Sequence, residues 1–377
     1  MLKVLHVAPH FYPAVGYGGP VSVLYDLCLA LSQKEAVDVR VLTSDTAGKG
    51  KHNRLPLAES TKQFNPQFTV LYHQKTARKE GSWPLLISLK KEIAQADVVH
   101  LAYAYSYTTI PTLLLCRLLK KRLIWSPYGA FQEWAGTRRR FLKSIWNGIC
   151  RMVIDKTRTV AQVTSQTERQ SVQQKIPKLI AEFIPHGVSI PDSVQERGFC
   201  NRHLLFMGRL DPIKGIENLL QAMLLLDSSI TLDIVGSGEA EYVATLQKHA
   251  QEQELQSRIH FHGLVDEDQK ALFFQHADLC IVPSHTESFG MVVAEALSYG
   301  TPVIASHGTP WSDLAEKQCG LWVDNSPESL AEAIRTLQTA DLQAMGARGR
   351  QWMIESFSWP TVADKMLTLY TQNACAV

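Results

Sequence analysis

This sequence has no long hydrophobic run and no paired cysteines, and each absence removes a class of protein. The longest apolar stretches, such as Ile110–Cys116, fall well short of the about 20 residues that a membrane-spanning helix needs. The opening residues, MLKVLHVAPHFYP, hold one Lys and a short apolar run before Pro9 and Pro13. That run is too short for a secretory h-region and lacks a small-residue cleavage site. Seven cysteines (Cys28, Cys116, Cys150, Cys200, Cys280, Cys319, Cys375) are scattered singly without a CxxC. Such scatter excludes a disulfide framework or zinc site and points to a reducing cytoplasm. No metal cofactor is expected. Neither half carries a complete GxGxxG with an acidic residue beyond it, which argues against a nicotinamide oxidoreductase. Low-complexity tracts and short repeats are absent too.

Hydrophobic residues make up 45% and charged residues 20% of 377, an ordinary core-forming composition for two domains. Net charge is only +2, but its distribution is uneven. Residues 1–190 hold 26 Lys+Arg against 12 Asp+Glu, a balance of +14, while 191–377 hold 12 against 24, a balance of −12. The first half is therefore suited to an anionic partner, unless both balances are simply solvated surface. No nucleic-acid partner is expected.

Short Val/Ile/Leu-rich runs alternate with longer amphipathic segments, the pattern of parallel sheets with crossover helices. Strands are expected at 3–8, 38–43, 68–72, 97–101, 122–126, 159–164 and 182–185. In the second half they recur at 203–207, 231–235, 259–262, 279–282 and 302–305. Helices are expected at 21–32, 85–94 and 139–154, and from near Ile216, Ala240, Asp268 and Met291. Residues 187–201 break the rhythm and read as a linker, and 47–66 read as a polar mobile loop. The domains are then 1–186 and 202–357, with a last helix over about 358–374.

Three loops carry chemistry-bearing residues. In HLLFMGRLDPIKGIENLLQA (203–222) a strand ends, Gly208 turns, and Arg209 and Lys214 precede a helix. Two cations beside a helix N-terminus suit a diphosphate; alternatively Arg209 pairs with Asp211 and Lys214 is solvated. In DIVGSGEAEY (233–242), Gly236 and Gly238 permit close backbone approach to a ligand, or merely a tight turn. In LCIVPSHTESFGMVVAEALSYGTPVIAS (279–306), Ser284 ends a strand, Glu287, Ser288, Phe289 and Gly290 follow, and a helix from Met291 carries Glu295. Carboxylates accept well from vicinal hydroxyls such as those of sugars and ribose. The alternative is that Glu287 caps the helix and Glu295 pairs with a surface cation.

GRLDPIKG, VGSGE, HFHGLV and ESFGMVVAE together resemble the retaining glycosyltransferases of family 4 (the group 1 glycosyltransferases), over nearly the whole chain. The resemblance implies the α/β GT-B fold, two Rossmann-like domains facing each other across a cleft, with the last helix crossing back onto the first. It implies a hexosyltransferase that takes a nucleotide-sugar, UDP- or GDP-linked, and retains the anomeric configuration without metal or cofactor. Arg209 and Lys214 would hold the diphosphate and Glu287 the transferred sugar. Glu295 would hold the ribose, Leu264 would flank the base, and the amides of Phe289–Met291 would face the oxygens between. The stretch 308–324 resembles transferases of exopolysaccharide, capsule and lipopolysaccharide assembly, whose acceptors are glycans or lipid-linked glycans. A GT-B nucleotide-sugar epimerase, a sugar-phosphate transferase and a catalytically silent binding subunit remain open.

In the first half the family's glycine pair falls at Gly18 and Gly19, with Gly16 before it. His100 stands at a strand end where the family often has histidine. The sequence departs from the family at SPYGAF (126–131), where Tyr128 replaces a histidine and His10 is the available substitute. Residues 137–158 form a basic amphipathic helix whose apolar face (Phe141, Leu142, Ile145, Trp146, Ile149, Val153) is expected to be core. Its cations, Arg138, Arg139, Arg140, Lys143 and Arg151, suit an anionic membrane or lipid diphosphate at the inner membrane face.

Overall fold

A computed structural model describes residues 1–48, 52–57, 59–77, 80–132, 140–194, 198–200 and 202–372. The chain divides into two units, Met1–Gly187 with Trp359–Val377, and Val188–Ser358. The first unit runs β1 (Leu2–Val7), α1 (Gly19–Ser32), β2 (Val37–Ser44), β3 (Thr61–Asn65), β4 (Phe68–His73), α2 (Trp83–Gln95) and β5 (Val98–Ala102). It continues through α3 (Thr109–Leu118), β6 (Arg122–Ser126), α4 (Arg140–Val153), β7 (Thr159–Val163), α5 (Gln166–Lys175) and β8 (Ile180–Phe183).

Among the described residues these strands form one sheet in the order β3-β4-β2-β1-β5-β6-β7-β8. Pairing is parallel except for β3 against β4. Every residue of β5 (VVHLA) and β7 (TVAQV) is buried, as expected of strands covered on both faces. Helices begin where polar caps allow. Ser82 accepts from the Leu85 amide at 3.3 Å, and Ser165 from the Glu168 amide at 3.1 Å.

Two expectations for this unit need correction. Residues 61–65, expected within a mobile loop, are β3. An edge strand needs a partner on one side only, so Phe64 packs inward on Phe68 and Tyr25 and Asn65 donates to Ser32 Oγ at 2.8 Å, while Thr61, Lys62 and Gln63 stay in water. The apolar face of α4 is core only in part: Trp146 and Val153 pack on the core and Ile149 is half-buried, whereas Phe141, Leu142 and Ile145 are exposed, and Asn147 and Cys150 are buried. The amphipathic pattern identifies an apolar side but not the direction in which it points. Arg138 and Arg139 lie outside the described residues.

The second unit runs β9 (His203–Met207), α6 (Ile216–Leu224), β10 (Thr231–Val235), α7 (Ala240–Glu252), β11 (Ile259–Gly263) and α8 (Glu267–His276). Then come β12 (Leu279–Val282), α9 (Met291–Ser298), β13 (Val303–Ser306), β14 (Gly320–Val323), α10 (Pro327–Gln338) and α11 (Leu342–Phe357). Its strands are all parallel, in the order β11-β10-β9-β12-β13-β14. This is the 3-2-1-4-5-6 order of the doubly wound dinucleotide fold, whose direction reverses between the first and fourth strands. Here that switch point lies between β9 and β12. Within the stretch expected as a linker, the described residues at both ends make contacts. Val188 is buried and donates to Phe357 O at 2.8 Å, and Asp278 accepts from the amides of Cys200 and Arg202.

The chain then returns to the first unit as α12 (Trp359–Thr371), whose Val362, Ala363, Met366, Leu369 and Tyr370 join the core beside α1. Lys34 pairs with Asp364 at 2.6 Å, and Arg122 donates to Leu369 O at 2.6 Å. Beneath it His100 takes Tyr370 Oη at 2.7 Å and Ser126 Oγ at 2.6 Å on its two ring nitrogens. The His6 ring lies 4.6 Å from the His100 ring, tilted by 34°.

Burial depresses these imidazoles: His100 and His186 to about 3, His10 to about 4, and His6 well below the ordinary value, with His100 adding to the effect. An unfolded chain binds these protons below roughly pH 6.5 and the folded one does not. Stability is therefore complete above that pH and falls as pH drops toward 3–4. Each buried histidine contributes a slope of about 1.4 kcal/mol per pH unit. Urea unfolding from pH 7 to 4.5 is expected to show this slope, and His6→Phe to flatten it by one histidine's share.

Candidate functional site

In the second unit the chemistry gathers at the switch point. After β9 the chain turns at Gly208, exposes Arg209 beside Asp211 (3.4 Å), and forms a short 3-10 turn over Pro212–Lys214 capped by Asp211. Gly215 follows at φ 64°, where a Cβ would stand 2.2 Å from Pro283 O. Only glycine fits there, and the contact presses the two loops together. His285 then donates to Ile213 O at 2.8 Å. In this way Lys214 Nζ comes to donate to Glu287 Oε1, while Ser284 Oγ donates to the same oxygen at 2.9 Å. Glu287 does not cap the helix. Its amide donates to Gly308 O at 2.8 Å, and Gly290, at φ 80°, occupies the cap position of α9.

Phe289 is buried against Trp311 and Phe357, and Trp311 Nε1 donates to Phe289 O at 2.5 Å. What this segment can offer a ligand is thus backbone and Ser288 rather than the phenyl ring. Met291 begins α9, and Glu295 on that helix meets Lys270 of α8 at 2.6 Å. Burial alone would lower the Lys270 ammonium, but Glu295, with Glu267 behind it, holds it above its ordinary value. Lys270 had no signal in the sequence, since nothing in α8 marks one lysine as facing another helix. Leu264 is exposed directly after β11.

The glycines of VGSGE serve the protein's own backbone. A Cβ on Gly236 (φ 139°) would lie 1.8 Å from Gly208 O, and one on Gly238 would lie 2.0 Å from Leu210 O. They let the loop after β10 lie against the one carrying Arg209, as the tight-turn alternative requires.

The first unit has its own cluster at its switch point, between β1 and β5. His10, just after β1, is buried and stacked on Tyr17 at 3.9 Å and 5°, with Tyr103 at 4.7 Å on its other side. Tyr103 in turn meets Tyr128 at 5.3 Å, and Tyr128 meets His186 at 5.5 Å. His10 Nδ1 lies 3.9 Å from Glu80 Oε2, and among the described residues neither it nor Tyr103 Oη has a hydrogen bond. Buried Lys75 donates to Thr46 Oγ1 at 3.1 Å, and the same hydroxyl meets Tyr17 Oη at 2.9 Å. Tyr17, Lys75 and Tyr103 were not singled out in the sequence.

Gly18 sits at φ 93° and caps α1, and the space where a Cβ of Gly18 or Gly19 would point is open. His100 is a correction. It lies inside β5, fully buried, with both nitrogens bonded, and is a core residue rather than one at a site. Burial, with Tyr103 next to it, pushes the Tyr128 phenol well above its ordinary value, so it stays protonated near neutral pH.

The sequence profile described as Glycosyl transferases group 1 matches residues 201–352, and that described as Glycosyltransferase Family 4 matches residues 17–190. This chain belongs to the group 1, family 4 glycosyltransferases. It is 33% identical over 174 residues to a D-inositol 3-phosphate glycosyltransferase of Xylanimonas cellulosilytica, a match covering 45% of this chain and 42% of that one. The chain thus spans under half the length of that curated relative. It is 26% identical to a GDP-mannose-dependent alpha-(1-6)-phosphatidylinositol monomannoside mannosyltransferase of Mycobacterium tuberculosis, over 79% of this chain and 82% of the other. Among solved structures, Anabaena Alr3699/HepE in complex with UDP and glucose superposes with a TM-score of 0.74 at 18% identity, covering 99% and 100% of the chains. The two parallel-sheet α/β domains of this glycosyltransferase-family chain are those of the GT-B fold.

The glycine contacts separate structural from ligand-facing roles. Gly236→Ala is expected to lower stability by on the order of 2–3 kcal/mol in urea unfolding, through backbone collision and strain. Gly19→Ala, in open space at a helix start, is expected to leave stability within about 0.5 kcal/mol of the parent.

Proposed function

We propose that the chain is a retaining glycosyltransferase that moves a hexose from a UDP- or GDP-sugar to a hydroxyl of a glycan or lipid-linked acceptor. The setting we propose is cytoplasmic assembly of exopolysaccharide, capsule or lipopolysaccharide. The reading is carried by the meeting of Lys214, Ser284 and Glu287 at the β9–β12 switch point, where doubly wound sheets bind their ligands. The donor mannose or glucose named for the relative and the solved neighbour agrees with it.

In this scheme Arg209 and Lys214 take up the charge that develops on the departing diphosphate, helped by the amides at the start of α9. An ammonium has three donors, so Lys214 can keep Glu287 while turning another N–H toward phosphate. Glu287 accepts from sugar hydroxyls, and Glu295, steadied by Lys270, accepts from the ribose. With two cations in place, no metal is needed to neutralise the leaving group, and turnover is expected to survive EDTA. The departing phosphate itself relieves the acceptor hydroxyl of its proton. Tyr128 takes no part as acid or base, because its phenol stays protonated. The aromatic row of His10, Tyr17 and Tyr103 is suited to stacking the acceptor sugar in the first unit.

A donor panel tests this: thermal shift with UDP-, GDP- and ADP-sugars, then product analysis with and without acceptor. Lys214→Ala and Glu287→Gln are each expected to cut turnover by about 10²–10³-fold. Unaltered turnover in either variant overturns the site assignment. Product formed without acceptor, with the sugar epimerised, overturns the transferase reading.

A further inference from the structure

A turn that no local preference explains lies within the aromatic row of the first unit. After β6 the residues Pro127 to Ala130 form a tight turn, closed by the Ala130 amide donating to Pro127 O at 3.2 Å. Its two central residues, Tyr128 and Gly129, sit at φ 53° and 72°. Positive φ at both central positions, as in a type I′ turn, favours Asn, Asp or Gly, because a left-handed backbone brings Cβ close to the following carbonyl oxygen. Glycine meets that demand at the second position, and tyrosine does not at the first.

Tyr103, directly after β5, is left-handed as well, at φ 69°. The other described non-glycine residues with positive φ are Lys120, Lys178, Glu254 and Gln318, all polar. The two aromatic cases are thus the two whose rings meet, at 5.3 Å and 51°. Backbone strain of this kind persists only where the surroundings over-determine it, and it clusters at sites that must hold a group in place.

Each strained tyrosine has its own restraint. The Tyr103 amide donates to Ser126 O, and its carbonyl accepts from Trp125 Nε1, both at 2.9 Å. The Tyr128 turn is held from α5 instead. Glu168, only 1% exposed, accepts from the Gly129 amide on Oε1 at 2.6 Å. Its Oε2 accepts from the Thr164 amide at 2.8 Å and the Thr164 hydroxyl at 2.9 Å. A glutamate in the first turn of a helix commonly reaches back to the cap residue's amide. Here one oxygen stays at the helix start and the other leaves it for the loop after β6. A carboxylate can do this because both of its oxygens accept and neither donates.

We propose that Glu168 is a positioning residue for Tyr128: by holding the Gly129 amide it keeps the turn left-handed and the Tyr128 ring against Tyr103, and so tunes the acceptor side of the reaction. The last clause rests on the reading of the aromatic row as the acceptor's place.

The test uses the full chain with ¹³C-labelled tyrosine rings, the Tyr128 and Tyr103 signals being assigned from Tyr128→Phe and Tyr103→Phe. In Glu168→Gln a single acceptor oxygen faces two backbone N–H groups, so the Tyr128 and Tyr103 signals are expected to shift while those of Tyr25 and Tyr242 stay in place. Thr164→Val is the control for a merely structural role. It removes a donor from the same carboxylate, lowers the unfolding temperature and is expected to leave the Tyr128 signal where it was. An unmoved Tyr128 signal in Glu168→Gln overturns the proposal, as does an equal shift in Thr164→Val. In kinetics with the donor found by the panel and p-nitrophenyl hexosides as acceptor probes, Glu168→Gln is expected to raise the acceptor KM by about two- to tenfold, the worth of one ring contact, at an unchanged donor KM. An acceptor KM equal to the parent's overturns the role on the acceptor side. Turnover of no donor, with the Tyr128 signal moved as expected, sinks the transferase reading and leaves the coupling of Glu168 to Tyr128 standing.

Discussion

The loop after β9 presses against the loop after β12, backbone to backbone, and the chemistry of the second unit depends on that contact. The lysine and the carboxylate that meet there are 73 residues apart in the chain. Their attraction cannot be what gathers the loops, because a partly exposed ion pair contributes only about 0–1 kcal/mol. The absent side chain at Gly215 and the His285–Ile213 hydrogen bond set the separation, and the ion pair records it. A charged pair positioned by backbone is preorganised: its members need little rearrangement when a ligand's own charges arrive.

The first unit reaches a similar arrangement by other means. Its strand ends hold aromatic rings in a row instead of a charged pair, with Lys75 and Glu80 near the row's outer end. Burial keeps His6, His10, His100 and His186 neutral through the physiological range. Cationic character is instead carried on the helical layer of α2, α3 and α4. A neutral aromatic basin sits on the sheet's strand ends, and a basic surface sits on one of its faces.

Most of this architecture was legible because buried parallel strands must be Val, Ile and Leu, as in β5, β10 and β12. β3 was not legible, since TKQFN on a sheet edge buries one phenyl ring and little else. The loops bearing Arg209, Lys214 and Glu287 could be found from glycine placement beside strand ends, but their pairing could not. Lys270 and Tyr103 were invisible, because facing residues from distant segments leave no local pattern. His100 and α4 show the opposite error. Residue type and periodicity suggested a site histidine and a core helix; burial reversed the first and upheld the second only for Trp146 and Val153.

The return of α12 to the first unit has a consequence for synthesis on the ribosome. Until Trp359–Thr371 emerges, the side of the large sheet beneath it, with Tyr370's bond to His100, has no cover. The polypeptide must therefore carry one unfinished hydrophobic face through translation of the entire second unit. Vectorial folding of this chain ends where it started, and an early stop between Ser358 and the core residues of α12 leaves an intact second unit attached to an uncovered first one.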